Sequence, residues 1–124
     1  MPYDFEDLCR KYKIKYTYSS RDDIRRMKKY ILDQFKYREL SENFTHKNFT
    51  HKMKEAANSL KTLPSSYDTV GFQYRGYDIH LKPYRNYLFF FIVDEEETSV
   101  TVLRVLQDGM NWQFIIKRWL KQNE

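Results

Sequence analysis

Cysteine occurs once in this chain of 124 residues, at Cys9, and glycine and proline occur three times each. One cysteine can form neither an intrachain disulfide nor a cysteine-based zinc site, and it points to a reducing compartment, so a cytoplasmic protein is expected. GxGxxG, a P-loop lysine motif, a nucleophile elbow and CxxC pairs are all missing, which sets aside nucleotide-dependent and triad-type enzymes. Long apolar runs are missing too. The longest, Tyr87 to Val93, is much too short to cross a bilayer. The N-terminus "MPYDFEDLCRKYK" does not have the basic-then-apolar order of a signal peptide. No membrane role and no cofactor is expected.

Aromatic residues and positive charge are abundant instead. Hydrophobic residues make up 41% of the chain and aromatics 18%, with 11 Tyr and 9 Phe, too much apolar surface for a disordered polypeptide. The length suits one domain. The net charge is +5 and the pI about 9.2, which favours an anionic partner, either nucleic acid or an acidic protein. The excess gathers between residues 10 and 38, where eleven Lys/Arg face three Asp. A solvated basic face accounts for that equally well.

"KIKYTYS" alternates Ile14, Tyr16 and Tyr18 against Lys13, Lys15 and Thr17, the period of a half-buried strand. Ser20 with Asp23 three residues on resembles a capping box, and Ile24, Met27, Ile31 and Phe35 then recur at helical spacing. The pentapeptide NFTHK appears twice, at 43–47 and 48–52. Five residues turn a helix by about 140°, so the copies cannot share a face. Phe49, Met53, Ala56, Leu60 and Leu63 form the stripe of a second helix, and Phe44 suits an entry turn. The pair His46 and His51 does not match the four-residue spacing of helical zinc ligands, and no metal is expected. Pro64 ends the helix, and "PSSYDTVG" reads as a loop.

Strand signals follow. "YDIHLK" sets His80 and Lys82 on one face, expected to be solvent-facing, and "PYRN" reads as a bend. Tyr87 to Val93 is apolar on both faces, as a central strand covered from both sides would be. "DEEET" turns the chain into Ser99 to Leu106, where Arg104 is expected to point the same way as Val102 and Leu106. Asp108-Gly109 breaks that strand. Trp112, Ile115, Ile116, Trp119 and Leu120 then follow helical spacing, with Asn111 as cap. The order β-α-α-β-β-β-α predicts an α+β domain over residues 13–124, in which a helical hairpin packs on an antiparallel-rich four-stranded sheet. Residues 1–12 form an N-terminal extension, and the last helix covers 111–121.

The segments "SLKTLPSSYD" and "GYDIHLKPYRNYLFFFIVDEEETSVTVLRVLQDGMNW", preceded by a two-helix hairpin, resemble the RelE/ParE family of bacterial toxins from type II toxin-antitoxin modules. The resemblance runs from about Lys13 to Trp112. It implies a cognate antitoxin as partner and either DNA gyrase or ribosome-bound mRNA as target. A metal-independent ribonuclease of this family would need a base, an acid and cationic clamps on the phosphate. Its relatives often carry Arg, His and Arg where this chain has Leu88, Gln107 and Gly109. The remaining candidates for catalysis are His80, Lys82, Arg85, Tyr87 and Arg104, the last equally suited to a structural ion pair. The stripe Trp112, Ile115, Ile116, Trp119 and Leu120 is the candidate surface for antitoxin or target, unless it docks on its own sheet. Three readings stay open: a toxin that poisons a protein such as gyrase, a ribosome-dependent mRNA endonuclease, and an inert toxin-like binding module.

Overall fold

The computed structural model describes residues 10–36 and 42–123, and among these the side chains of 10–33 and 48–123. Expectations that rest on Cys9, Phe35, Phe44 and His46 lie outside the described side chains. The elements are β1 (Lys13–Tyr16), α1 (Tyr18–Lys36), α2 (Glu42–Ser59), a 3-10 turn (Pro64–Ser66), β2 (Thr69–Tyr74), β3 (Tyr77–Tyr84), β4 (Tyr87–Asp94), β5 (Ser99–Gln107) and α3 (Trp112–Asn123). One sheet holds all five strands in the order β1-β5-β4-β3-β2. β1 runs parallel to β5, and the other neighbours are antiparallel.

β4 is the centre, and its seven apolar residues are all buried. Phe89, Phe91 and Val93 face the helical hairpin with Phe49, Met53, Ala56 and Leu60 of α2 and its final turn, while Ile24, Met27 and Ile31 of α1 pack alongside. Leu88, Phe90 and Ile92 face the other way, against Ile116, Trp119 and Leu120 of α3. Each fully buried Phe contributes on the order of 1.5–3 kcal/mol. A strand apolar on both faces requires a cover on both faces, and the two helical layers supply it.

The sheet has five strands, one more than the sequence pattern suggested. The additional one is β2, which begins in the stretch read as loop and runs on through residues to which no element was assigned. Its Val70, Phe72 and Tyr74 do alternate and pack toward the α3 side, but glycine at 71 and 76 masks the signal. Gly71 has φ +85° where the β2–β3 register slips between Thr69 and Gln73, a bulge conformation that suits glycine. β3 continues through Pro83 to Tyr84, and the turn is only Arg85-Asn86. Proline is tolerated there because β2 pairs with β3 no further along than His80, so Pro83 faces no strand on that side.

The N-terminus of α1 also differs from expectation. Thr17, not Ser20, is the cap. Its Oγ1 accepts the Ser20 amide at 3.1 Å and donates to the Leu103 carbonyl at 2.8 Å, so β1 ends where its chain turns into the helix. Asp23 is thereby released from capping. Its carboxylate accepts Arg104 Nε at 2.7 Å, Arg104 Nη2 at 2.8 Å and the Val105 amide at 3.0 Å. The site is a bulge, because Phe90 pairs with Arg104 whereas Phe91 pairs with Val102, leaving Leu103 extra. The bulge places Val102 on the hairpin side and Leu106 on the α3 side. Arg104 therefore cannot point the same way as both, as simple alternation suggested.

A second polar knot closes the other end of the sheet. Glu95 accepts Tyr12 Oη and Ser65 Oγ, the latter at 2.5 Å, with Arg10 Nη1 at 3.7 Å. Burial pushes the Glu95 carboxyl up, but the bonds from Ser65 and Tyr12 and the charge of Arg10 outweigh it and hold it below the ordinary glutamate range. Burial and the Glu95 carboxylate raise the Tyr12 phenol in turn.

Three outcomes follow from this packing. Asp23→Ala leaves a largely buried guanidinium and an unpaired amide, so urea unfolding should show a loss of about 3 kcal/mol, whereas Arg104→Met should cost clearly less. Equal losses would contradict this account of Asp23. The depressed Glu95 carboxyl contributes stability that is complete above the unfolded value of about 4.3 and is lost as pH falls through the folded one. Glu95→Gln should therefore flatten the acid limb of a melting-temperature profile against pH. Acrylamide should quench Trp119, which is 6% exposed, far less than Trp112, a contrast that Trp112→Phe and Trp119→Phe variants would resolve.

Candidate functional site

The five residues expected to share a catalytic site occupy three separate environments. His80 and Lys82 do share a face of β3, and both turn toward Tyr67. His80 is 9% exposed, contrary to the solvent-facing strand position expected for it. Its ring stacks on Phe91 at 5.4 Å, and Nδ1 lies 2.7 Å from the Tyr67 carbonyl. A carbonyl can only accept, so Nδ1 carries the proton. Lys82 Nζ donates to Tyr67 Oη at 3.0 Å and lies 4.8 Å from the centre of the Tyr67 ring. Tyr67 thus collects both side chains. The loop that positions it was visible in the sequence, but which residues it would meet depends on how the sheet pairs.

Arg85 and Tyr87 sit at the β3–β4 turn. Tyr84 Oη donates to Glu55 Oε2, His51 Nε2 lies 2.7 Å from Glu55 Oε1, and Arg85 Nη2 lies 3.8 Å from Oε2. The Tyr84 bond, with the charges of His51 and Arg85, holds the Glu55 carboxyl below its usual range despite some desolvation. Arg85 adopts φ +55° in the two-residue turn. Tyr87 lies beneath, edge-on to Phe49 at 6.0 Å, and burial raises its phenol. Glu55 and His51 escaped the sequence reading as site residues. Their i, i+4 spacing was the available signal, and the link to Tyr84 spans a gap in sequence that no periodicity reveals.

Arg104 belongs to the third environment, bound by Asp23. Beside it the far end of β5 opens into a pocket of about 290 Å³, lined by Met27 and Tyr30 of α1, Val105 to Gln107, Met110 and Ile115. Two arginines reach its wall. Arg104 is tied to Asp23, and Arg26 Nε to Asp22 at 2.8 Å. Tyr30 is 59% exposed, Met110 46%, and Phe114 on the first turn of α3 60%. The turn itself is tightly built: the Asp108 amide donates to the Asn86 carbonyl at 2.8 Å, Gly109 takes φ +95°, and Asn111 Oδ1 accepts the Phe114 amide at 3.4 Å. What this end presents is largely apolar and amide surface, with Arg104 neutralised by Asp23 and Arg26 sharing the Asp22 carboxylate with Arg25.

The α3 stripe is occupied within the molecule. Ile116, Trp119 and Leu120 are buried against the sheet, with Trp112 and Ile115 packed beside them. Trp119 stacks on Tyr74 at 5.2 Å, and its Nε1 donates to Ser19 Oγ at 2.8 Å. Trp112 tilts against Phe90 at 5.3 Å. Among the described residues no group of three or more His, Cys, Asp or Glu could hold a metal ion, and no helix is long and apolar enough to cross a membrane.

Known proteins extend this picture. A solved chain of the chromosomal ParDE toxin-antitoxin system from P. aeruginosa superposes with a TM-score of 0.55 at 13% identity, over 81% of this chain and 99% of that one. A chain of the toxin-antitoxin complex RelBE2 from Mycobacterium tuberculosis gives a TM-score of 0.50 at 16% identity, over 82% and 97%. At such identities these establish the shared fold. No curated protein sequence matches the chain. Residues 14–112, from the second residue of β1 through the sheet to the first residue of α3, match the family described as ParE toxin of type II toxin-antitoxin system, parDE. The chain therefore belongs to the ParE toxin family of type II toxin-antitoxin systems.

Proposed function

We propose that this protein is the toxin of a type II module, neutralised by a cognate antitoxin, and that it arrests growth by binding and poisoning a protein target such as DNA gyrase rather than by cleaving RNA. The observation that carries this reading is the far end of β5. Of the cations that reach its pocket, Arg104 is bound by Asp23 and Arg26 shares the Asp22 carboxylate with Arg25, while Tyr30 and Met110 of the pocket wall stand exposed. A phosphorane needs uncommitted positive charge and a proton donor and acceptor within reach. An aromatic and methionine-rich surface beside a basic helix suits a protein interface instead.

The candidate acid–base group gives little support to a nuclease. His80 is stacked in the core and engaged at Nδ1, and Lys82 is held on Tyr67. Arg85 stands apart at the β3–β4 turn with Glu55. Separated in this way, they do not form a single constellation around one scissile bond.

Inducing the full chain in a bacterial host, with and without the adjacent reading frame, tests the proposal. Growth should stop only when the chain is expressed alone, with cleaved gyrase–DNA complexes and altered plasmid supercoiling, while transcript ends stay unchanged. Cuts at codon positions in transcripts would overturn it in favour of an endonuclease. Met110→Asp or Tyr30→Asp should weaken target binding about tenfold or more, the effect of losing an anchor worth roughly 1.4 kcal/mol. Lys82→Ala should leave growth arrest intact.

A further inference from the structure

α3 has two faces, and the fold uses one of them. Ile116, Trp119 and Leu120 are buried against the sheet, whereas Phe114, Lys117, Arg118 and Lys121 are exposed. With about 3.6 residues per turn, those four exposed residues fall within an arc of about 100°. They form a single stripe, with one aromatic ring on its first turn and three cations behind it. From Trp112 to Asn123 the helix contains no Asp or Glu.

The strand packed beside this helix extends the stripe. Lys117 Nζ lies 5.8 Å from the centre of the Phe72 ring of β2. Two residues on, Tyr74 stacks on Trp119 at 5.2 Å, and the Arg75 guanidinium sits 5.0 Å from the centre of the Tyr74 ring. Aromatic faces thus position Lys117 and Arg75 without neutralising them. Among the described residues none of Arg75, Lys117, Arg118 and Lys121 forms an ion pair. The contrast with Arg25, Arg26 and Arg104 is plain, since Asp22 and Asp23 hold all three.

We infer that this face binds a single strand of DNA, whose phosphates meet Arg75, Lys117, Arg118 and Lys121 while one base stacks on Phe114. A row of free cations beside an exposed ring is the arrangement that tracks a nucleic-acid backbone and holds a base. A membrane surface fits less well, because a helix that lies in a bilayer inserts its apolar face, and here Ile116, Trp119 and Leu120 are spent on the sheet. A protein partner fits less well too. Protein interfaces centre on an apolar core from which lysine is depleted, whereas Phe114 stands alone among cations. The stripe on α3 carries no His, Asp, Glu or Tyr, so it binds without cleaving. Ile115, next to Phe114, lines the recess at the end of β5, which sets the strand beside the proposed protein target. Only the choice of DNA over RNA rests on that target, an enzyme that itself holds DNA.

The experiment titrates the full chain into a fluorescent oligothymidylate, with a duplex of the same length and an oligouridylate as comparisons. Anisotropy should show binding to the oligothymidylate with a slope of log affinity against log salt of about −2 to −3, the value for three or four neutralised phosphates on a single strand. The double variant Lys117→Glu, Lys121→Glu should weaken binding about tenfold or more. Lys28→Glu with Lys29→Glu on α1 changes the net charge equally and should leave affinity within about twofold. Phe114→Ala should weaken binding about tenfold, and Phe114→Trp, which keeps a stacking ring, should retain it. Phe114, Lys117 and Lys121 are exposed, so these variants should keep the parent circular dichroism spectrum. No binding, equal losses from the two charge reversals, or indifference to Phe114→Ala would overturn the inference. Tighter binding to the duplex would overturn the single strand, and tighter binding to the oligouridylate would overturn DNA. Displacement by polyglutamate as readily as by unlabelled oligothymidylate would replace the strand with an acidic protein. Tighter, Phe114-dependent binding to phosphatidylglycerol vesicles would replace it with a membrane surface. None of these readouts involves growth or gyrase, so failure here and failure of the toxin reading are distinguishable.

Discussion

β4 is apolar on both faces, and the remaining architecture answers that constraint. Phe89 and Phe91 need a cover on one side and Phe90 on the other, so the α1–α2 hairpin and α3 take opposite faces of the same sheet. α3 is thereby committed. Its tryptophans complete the second core and join it to α1 through the Trp119 bond to Ser19. The apolar stripe that reads as a binding surface in one dimension is, in the folded chain, half of an internal interface. A partner seeking Ile116 or Trp119 would first have to displace a helix from its own sheet, at the expense of the buried area that holds Phe90.

The bulge at Leu103 and Arg104 links this packing to function. It lets Val102 and Val105 serve the hairpin core while Leu103 and Leu106 serve the α3 core, and it leaves the Val105 amide without a strand partner because β1 has already turned into α1. Asp23 fills that vacancy and binds Arg104 with the same carboxylate. The consequence is electrostatic. A cation that could have faced a phosphate is spent on holding α1 to the sheet, and the end of β5 becomes an apolar recess edged by Met110 and Tyr30. The proposed action on a protein target follows from that apolar recess.

The opposite edge of the sheet has the complementary character. Among the described residues β1 is short, unpaired on its outer side and flanked by lysines with no acidic partners, while a face of α2 leaves a shallow apolar floor beside it. The two surfaces, one apolar at the end of β5 and one cationic along β1, lie on different elements.

Local pattern was enough to identify β1, both hairpin helices, the fully buried β4, the β4–β5 hairpin and the cap at Asn111, because each is written in side-chain period or turn chemistry over adjacent residues. The order of those elements also carried the family resemblance. β2 escaped because two glycines broke its alternation, and the Thr17 cap because Ser20 and Asp23 offered an equally good local motif. The site was much less legible. Burial of His80, capture of Lys82 by Tyr67, the Glu55 cluster and the Asp23–Arg104 pair all join residues distant in sequence. Sequence by itself determined which stretches would be helix, strand and core, since hydrophobic period is a local property. Only the tertiary structure decided which charges remain available for function, since that depends on which residues the sheet order and its bulge bring within hydrogen-bonding distance.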